Sequence, residues 1–263
     1  MAIAISEIKN EYKSISEYAV MDYEKEMKAL EAFIDKYKID ERTGVQSVVT
    51  SADKRLGKLN AEIERVQSMM IYERENRELY HRICGVDEVG RGPLAGPIVT
   101  AAVILPEDFI IPYINDSKKL NEKRREELFE IITENAISFA YGIKSEKEID
   151  EIGVGRADSL AMKEAVLSLD TPADMVLVDA FPIPGIDVKQ IPIIKGDAKS
   201  VSIAAASIIA KVTRDRMMKE YSEKYPEYGF DSNKGYGSAD HIAAIKKYGP
   251  CDIHRRSFIS NFV

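Results

Sequence analysis

The sequence predicts an α/β domain, a mixed central sheet flanked by helices, preceded by an α-helical extension. Three observations carry that expectation. From about residue 81 onward, short β-branched runs alternate with helical stretches. Before that point the chain is proline-free, poor in glycine and rich in Glu, Lys, Ala, Leu and Met, the texture of helices. Acidic residues also stand at the ends of several strand-like runs, where α/β sheets assemble their sites.

In order along the chain, Met27, Leu30 and Phe33 form one stripe of a helix near Met21–Tyr37. Thr43-Gly44 punctuates a join. Leu56, Leu59, Ile63, Val66 and Met70 then recur at spacings of three and four, predicting an amphipathic helix from about Ala52 to Tyr80. Residues 1–80 are therefore expected to form the extension and 81–263 the α/β domain. Packing would explain the extension, and so would contact with a partner protein or nucleic acid; its residues leave both open. Strands are expected at 82–87 and 98–105, then a helix from Asn121 to about Asn135 carrying Leu128, Ile131 and Ile132. Residues 137–144 read as a strand alternating at Ile137, Phe139 and Tyr141. Ser145 and Glu148 make a capping box opening a helix that Gly153 and Gly155 interrupt before it resumes towards Leu169. Strands at 175–179 and 190–194 and a helix from about Lys199 to Tyr225 complete the order β-β-α-β-α-β-β-α. Antiparallel neighbours come first and crossover-linked parallel strands after.

At 263 residues and 45% apolar content, the chain can bury a sizeable core. Its net charge of −7 argues against a protein that coats nucleic acid indiscriminately. The charge is uneven: residues 195–263 hold 12 Lys and Arg against 8 Asp and Glu, or +4, which leaves −11 for the rest. The two cysteines, Cys84 and Cys251, lack metal-ligand spacing and read as buried thiols of a reducing compartment. No run approaches the ~18–20 apolar residues of a membrane span. A cytoplasmic monomer without a membrane partner is expected.

The chemistry concentrates between Cys84 and Gly96. There Asp87 and Glu88 precede Gly90-Arg91-Gly92-Pro93-Leu94-Ala95-Gly96. Neighbouring carboxylates supply hard oxygen ligands for Mg²⁺ or Mn²⁺, and glycines let backbone N–H groups approach a substrate closely. Asp179 ends the run Met175-Val176-Leu177-Val178, and Asp197 follows Ile191 to Gly196. Four carboxylates gathered at strand ends repel each other unless cations neutralise them, and two-metal phosphodiester chemistry uses such a set. Asp87 and Glu88 would converge on one site only if the strand ends, bends or bulges there, which Gly85 and Gly90 would permit. His241 and His254 read as surface or capping residues. A dinucleotide-binding reading of Gly90-x-Gly92 is weak, because Pro93 and a strand come next and the acids would repel a pyrophosphate.

Gly85-Val86-Asp87-Glu88-Val89-Gly90-Arg91-Gly92-Pro93-Leu94-Ala95-Gly96-Pro97 closely resembles the first signature of bacterial ribonuclease HII, in the type 2 ribonuclease H family. Asn115 to Leu120, Lys195 to Lys199, Ala205 to Asp215, Lys234-Gly235-Tyr236 and His254 to Phe258 resemble the later signatures, in family order. The likeness runs from about residue 81 to the end. It implies a ribonuclease H-like fold and cleavage of the RNA strand in RNA–DNA hybrids and in DNA duplexes containing single ribonucleotides. By position it implies catalytic, metal-holding roles for Asp87, Glu88, Asp179 and Asp197 with two Mn²⁺ or Mg²⁺ ions. It also implies substrate contacts at Gly90, Arg91, Gly92, Lys118, Ser207, Lys211, Arg214 and Tyr236. The family often has glycine after the third acid; Ala180 stands there and would be harmless at negative φ. A catalytically silent hybrid-binding module is the alternative, but a binder gains nothing from four desolvated carboxylates.

Overall fold

The computed structural model describes residues 3–15 and 18–261. It divides into two compact units, Met1–Ser68 with Ile110–Tyr113, and Met69–Phe109 with Ile114–Val263. No helix among the described residues is long and apolar enough to cross a membrane.

The first unit holds α1 (Ile5–Ile15), α2 (Tyr23–Tyr37) and α3 (Thr43–Ser68). Ile8, Leu30, Phe33, Val45 and Ala52 form its core. Phe33 sits between Tyr12 and Tyr37, with ring centroids 5.6 and 5.0 Å away. The helix expected over 52–80 begins earlier and ends earlier. Thr43 and Gly44 open α3 rather than separate two helices, in the first turn, where N–H groups have no intrahelical partner to lose. At the other end Ser68 Oγ donates to the Arg65 carbonyl at 2.6 Å, closing the last turn.

The break between units falls at 68/69 rather than at the change in composition near residue 81. Glu73, in the short helix α4 (Ile71–Asn76), supplies the reason. It is buried, and its Oε1 accepts hydrogen bonds from Ser200 Oγ at 2.6 Å and Ser202 N at 3.0 Å. A carboxylate thereby caps the start of the long helix of the sheet unit, satisfying an orphan N–H and complementing the helix dipole.

In that unit the strands are β1 (Ile83–Val89), β2 (Ile98–Ile104), β3 (Ser138–Lys144), β4 (Met175–Asp179) and β5 (Lys189–Ile193). Among the described residues they form one sheet in the order β3-β2-β1-β4-β5. β1, β2 and β3 pair antiparallel, while β4 and β5 run parallel to β1, as the sequence led one to expect. α5 (Glu122–Asn135) starts at Asn121, whose side chain accepts from Arg124 N. The Ser145–Glu148 capping box forms, and Gly153, at φ 81°, separates α6 (Glu146–Ile152) from α7 (Val154–Leu167).

α7 packs on one face of the sheet and α8 (Val201–Lys224) on the other. Both lie very close to it. A Cβ at Gly85 would sit 2.0 Å from the Ser202 carbonyl carbon of α8, and one at Gly142 would sit 1.8 Å from the Ala161 oxygen of α7. Gly85 is therefore there for helix packing and not to bend the strand. The same closeness explains β3, where Ser138, Ala140 and Gly142 are the buried residues and Phe139 and Tyr141 are only half-buried. α9 (Phe230–Asn233), α10 (Ala239–Tyr248) and α11 (Arg256–Ile259) end the chain around a cluster containing Phe230, Ile245 and Ile259.

Candidate active site

β1 stays regular through the acid pair, with Asp87 opposite Ala101 and Glu88 opposite Thr100. No bulge turns the two side chains the same way, so the period-two alternation sends them to opposite faces of the sheet edge. Asp87 lies on the α8 face with Ser207, whose hydroxyl hydrogen-bonds both it and Ser117 Oγ, the latter at 3.0 Å. Glu88 lies on the α7 face, near Asp158 and Arg91. Asp179 ends β4, one step beyond the paired residues Val86 and Val178, and is close enough to act on both acids electrostatically. Its Oδ1 accepts a hydrogen bond from Gly196 N at 2.7 Å, which ties it to the turn that carries Asp197. The four expected acids are thus brought together along one edge.

Two hollows that share Glu88 open there. A cavity of ≈ 410 Å³ is lined by Asp87, Glu88, Ser117, Lys118, Ser207, Lys211 and Tyr236. A second, of ≈ 230 Å³, is bounded by Glu88, Arg91, Asp158, Asp179 and Phe181. Tyr236 is half-exposed, and a Cβ on Gly92 would just touch its ring edge, at 4.0 Å, so the glycine and the tyrosine are neighbours at the cleft.

Electrostatics mark the edge as short of positive charge. Burial, then the neighbouring charge of Glu88, raises the Asp87 carboxyl well above its usual range, although Ser207 opposes this with a hydrogen bond. Burial and Asp158 push Glu88 up to about 7. Asp197 is raised by burial, by Asp116 and by Asp179. Burial would lower Lys118, but Asp87, Asp116 and Asp197 outweigh it and raise the amine. Lys211 is lowered by burial, although Asp215 holds it with an ion pair at 2.6 Å. Hard carboxylate oxygens held at raised proton affinity fit a divalent cation in donor type and in charge. Among the described residues no three acidic, histidine or cysteine side chains stand close enough to hold one ion in common.

Several expectations need correction. Arg214 is fully buried and cannot reach a phosphate; its guanidinium donates to the carbonyls of Pro97, Lys234 and Ala95 at 2.9, 2.9 and 3.1 Å. Ala180 has φ 61°, so the alanine is in the left-handed region, where its Cβ is disfavoured by roughly 1–2 kcal/mol. His241 and His254 are buried rather than at the surface, with their Nε2 atoms 3.0 Å apart. Cys251 N donates to His254 Nδ1, which leaves His254 Nε2–H to donate to His241, whose Nδ1–H is then given to the Tyr236 carbonyl at 2.8 Å.

Other residues at the site were given no role by the sequence, although Asp116 and Arg255 lie in stretches that resemble the family's signatures. Asp158 is buried on α7, with Oδ2 3.4 Å from Arg91 Nε and Oδ1 without a hydrogen bond. In sequence it reads as one more acid on a helix. Asp116 hydrogen-bonds Asp197, and Arg255 is buried behind the glycine loop. Their partners are remote in sequence, and only the fold supplies them.

A mixed sheet with α-helices on both faces and carboxylates collected at one edge defines a ribonuclease H-like protein. Residues 84–261 match the family model of ribonuclease HII, and residues 4–77 that of the ribonuclease HII N-terminal domain. The chain is 51% identical over 261 residues to a ribonuclease HII of Lachnoclostridium phytofermentans, covering 99% of this chain and 98% of the other. It is 47% identical to one of Clostridioides difficile, covering 95% and 99%. Among solved structures, the ribonuclease H2 of Pyrococcus horikoshii superposes with a TM-score of 0.59 at 30% identity, covering 69% of this chain and 98% of that one. The chain belongs to the ribonuclease HII family.

Proposed function

We propose that this chain is a divalent-metal-dependent endonuclease acting on the RNA strand of RNA–DNA hybrids and on single ribonucleotides embedded in DNA. It leaves 5′-phosphate and 3′-hydroxyl ends. The observation that carries this reading is the acid cluster at the strand ends: Asp87 and Glu88 line a cavity walled by Lys118, Lys211 and Tyr236, Asp179 lines the adjoining hollow, and Asp197 acts on Asp179 electrostatically. Asp87, Glu88, Asp179 and Asp197 would hold two Mg²⁺ or Mn²⁺ ions, which when bound supply charge neutralisation, an acidified attacking water and stabilisation of the leaving oxygen.

The chain's own residues bind and orient the substrate. Lys118 and Lys211 attract the scissile phosphate and counter the repulsion between its charge and the acids. Ser207 fixes the Asp87 carboxylate by hydrogen bonding, so that the acid need not reorganise during reaction. Arg91, half-exposed between Glu88 and Asp158, reaches an adjacent phosphate. Tyr236, on the cavity wall, and the neighbouring Gly92 backbone would contact the ribose, whose 2′-hydroxyl separates RNA from DNA. The protein acts as a cytoplasmic monomer, and its helical unit offers a surface for a protein partner.

Cleavage of a duplex with one embedded ribonucleotide, beside an all-RNA hybrid, in Mg²⁺ and in Mn²⁺, tests the reading. The expected result is metal-dependent nicking at the ribonucleotide. Binding of both duplexes without cleavage in either metal would make this a silent hybrid-binding module instead.

A further inference from the structure

Asp158 stands where an acid does nothing for the fold. The face that α7 turns to the sheet is otherwise apolar, with Ala157, Ala161, Met162, Ala165 and Val166 buried along it. The Asp158 side chain is 9% exposed, and its Oδ1 is buried without a hydrogen bond. Burying a carboxylate in that state costs more than a loose ion pair returns. The helix dipole does not account for it either, because Asp158 lies in the second turn of α7 and the dipole's effect fades beyond the first.

A half-exposed cation stands opposite. Arg91 Nε lies 3.4 Å from Asp158 Oδ2, and Arg91 Nη1 lies 3.7 Å from Glu88 Oε1. Both separations exceed the about 2.7–2.9 Å of a charge-assisted hydrogen bond, so charge holds the guanidinium while its donors stay unspent on either acid. Arg91 and the two acids line the hollow of ≈ 230 Å³ together with Asp179. A guanidinium is a planar fork with Nε–H on one edge and two Nη groups beyond it. Asp158 takes the Nε edge, whereas Glu88 competes for Nη1. With Glu88 committed to a divalent cation, Asp158 is the carboxylate left to Arg91. Anchored there by Nε, the fork keeps both Nη groups for a phosphate, which accepts two parallel N–H bonds.

We propose that Asp158 is a positioning residue for the substrate: it anchors Arg91 by the Nε edge so that the Nη pair faces a backbone phosphate beside the cleaved bond. The inference rests on the hybrid-cleaving reading above and adds to it an acid that acts on the substrate only through an arginine. Removing a negative charge beside a polyanion should, by charge alone, tighten its binding. Anchoring predicts the opposite sign.

The test is a double-variant cycle on full-length protein, reading affinity for a duplex with one embedded ribonucleotide in Ca²⁺ in place of a catalytic ion. Asp158→Asn should bind about 10-fold more weakly than wild type, the lower range for a hydrogen bond to a charged group. In an Arg91→Ala background the same substitution should weaken nothing, because the residue it acts through is gone. A loss of affinity that is the same with and without Arg91 would mean that Asp158 serves the fold alone, and would overturn the inference. So would a folded Asp158→Asn that binds as tightly as wild type or more tightly. Should Asp158→Asn fail to fold, the wild-type protein provides the second arm, in ¹⁵N–¹H spectra of the Arg91 Nε–H group. With Ca²⁺ and duplex bound, that proton should exchange slowly with water, shielded on a buried carboxylate. Exchange as fast as in a free arginine side chain would show that Arg91 has left Asp158, and would overturn the inference equally. Absence of ribonucleotide cleavage by wild type in Mg²⁺ and Mn²⁺ would instead strike the underlying reading.

Discussion

The acids at the strand ends and the arginines behind the glycine loop lie in one compact unit, yet their charges are met in opposite ways. Asp87, Glu88 and Asp197 crowd with other acids at the strand ends and hold their protons too tightly for ordinary carboxylates. Arg214 and Arg255 are buried more deeply but are satisfied by carbonyl oxygens of the chain itself. On the proposed function the first group would be completed by cations, whereas the second is complete on folding and serves to hold backbone in place. Stability and chemistry are therefore expected to separate cleanly between them: neutralising an acid should destroy activity and strengthen the fold, while disturbing the arginines' hold on the glycine loop should weaken recognition.

Asp87→Asn gives the largest effect. Cleavage at saturating metal should fall by on the order of 10³-fold or more, given the several kcal/mol that metal charge stabilisation supplies. The metal-free variant should unfold at a higher temperature than wild type, because a repelled buried charge has been removed. Single-turnover kinetics and thermal unfolding of the same sample check both halves; a variant keeping a tenth of wild-type activity would break the comparison.

Next come the groups proposed to face the ribose. Tyr236→Ala and Gly92→Ala should each slow cleavage at single ribonucleotides by about 5- to 150-fold, the value of roughly 1–3 kcal/mol per lost contact. Gly92 lies outside the left-handed region and has room for a methyl group, so the alanine variant should fold as wild type does by circular dichroism. Normal rates in both folded variants would move ribose reading elsewhere.

Glu73→Ala should destabilise the sheet unit by about 1–3 kcal/mol, since it strips the hydroxyl of Ser200 and the amide of Ser202 of their acceptor. A chain beginning at His81 should accordingly melt lower than one beginning at Met69. Equal melting temperatures would show that the cap contributes nothing. Ala180→Gly is smaller and of the opposite sign, a gain of about 1 kcal/mol from relieving the left-handed alanine, read as a higher unfolding midpoint.

The smallest effect is in pH dependence. Metal-free, folded Glu88 keeps its proton up to about 7 while the unfolded chain releases it near 4.5, so this group adds stability as pH falls between those values. His254 works in reverse. Burial and then His241 depress it to about 4 from 6.5, so the unfolded state takes up protons first and stability declines as pH falls from 6.5 towards 4. Glu88→Gln should remove the first limb and make the melting temperature fall more steeply with acid. An unchanged slope would mean that Glu88 titrates normally.

Much of this was legible in the sequence. The succession of strands and helices along the chain, the capping box at Ser145 and the acids at the ends of β1 and β4 could be read because each is a local pattern tied to its own element. What escaped depends on remote partners. Helical texture continues to residue 80, so nothing local shows that Glu73 belongs to Ser200, 127 residues away. Arg255 finds the carbonyl of Gly90 165 residues back, and a buried arginine looks in sequence like a phosphate contact, as Arg214 did. The opposite faces of Asp87 and Glu88 follow from strand alternation once the register with β2 is known to be unbroken.

The most direct test of the account is Mn²⁺ titration calorimetry of metal-free wild type and Asp87→Asn near pH 7. If the acid edge is completed by cations, wild type should bind Mn²⁺ and release protons as it does so, seen as a heat that depends on the buffer, because Glu88 is still partly protonated there. Asp87→Asn should bind at least about 10-fold more weakly, about 1.4 kcal/mol in binding free energy. Equal affinity in the two proteins, or a wild type that binds no Mn²⁺ at millimolar concentration, would contradict it.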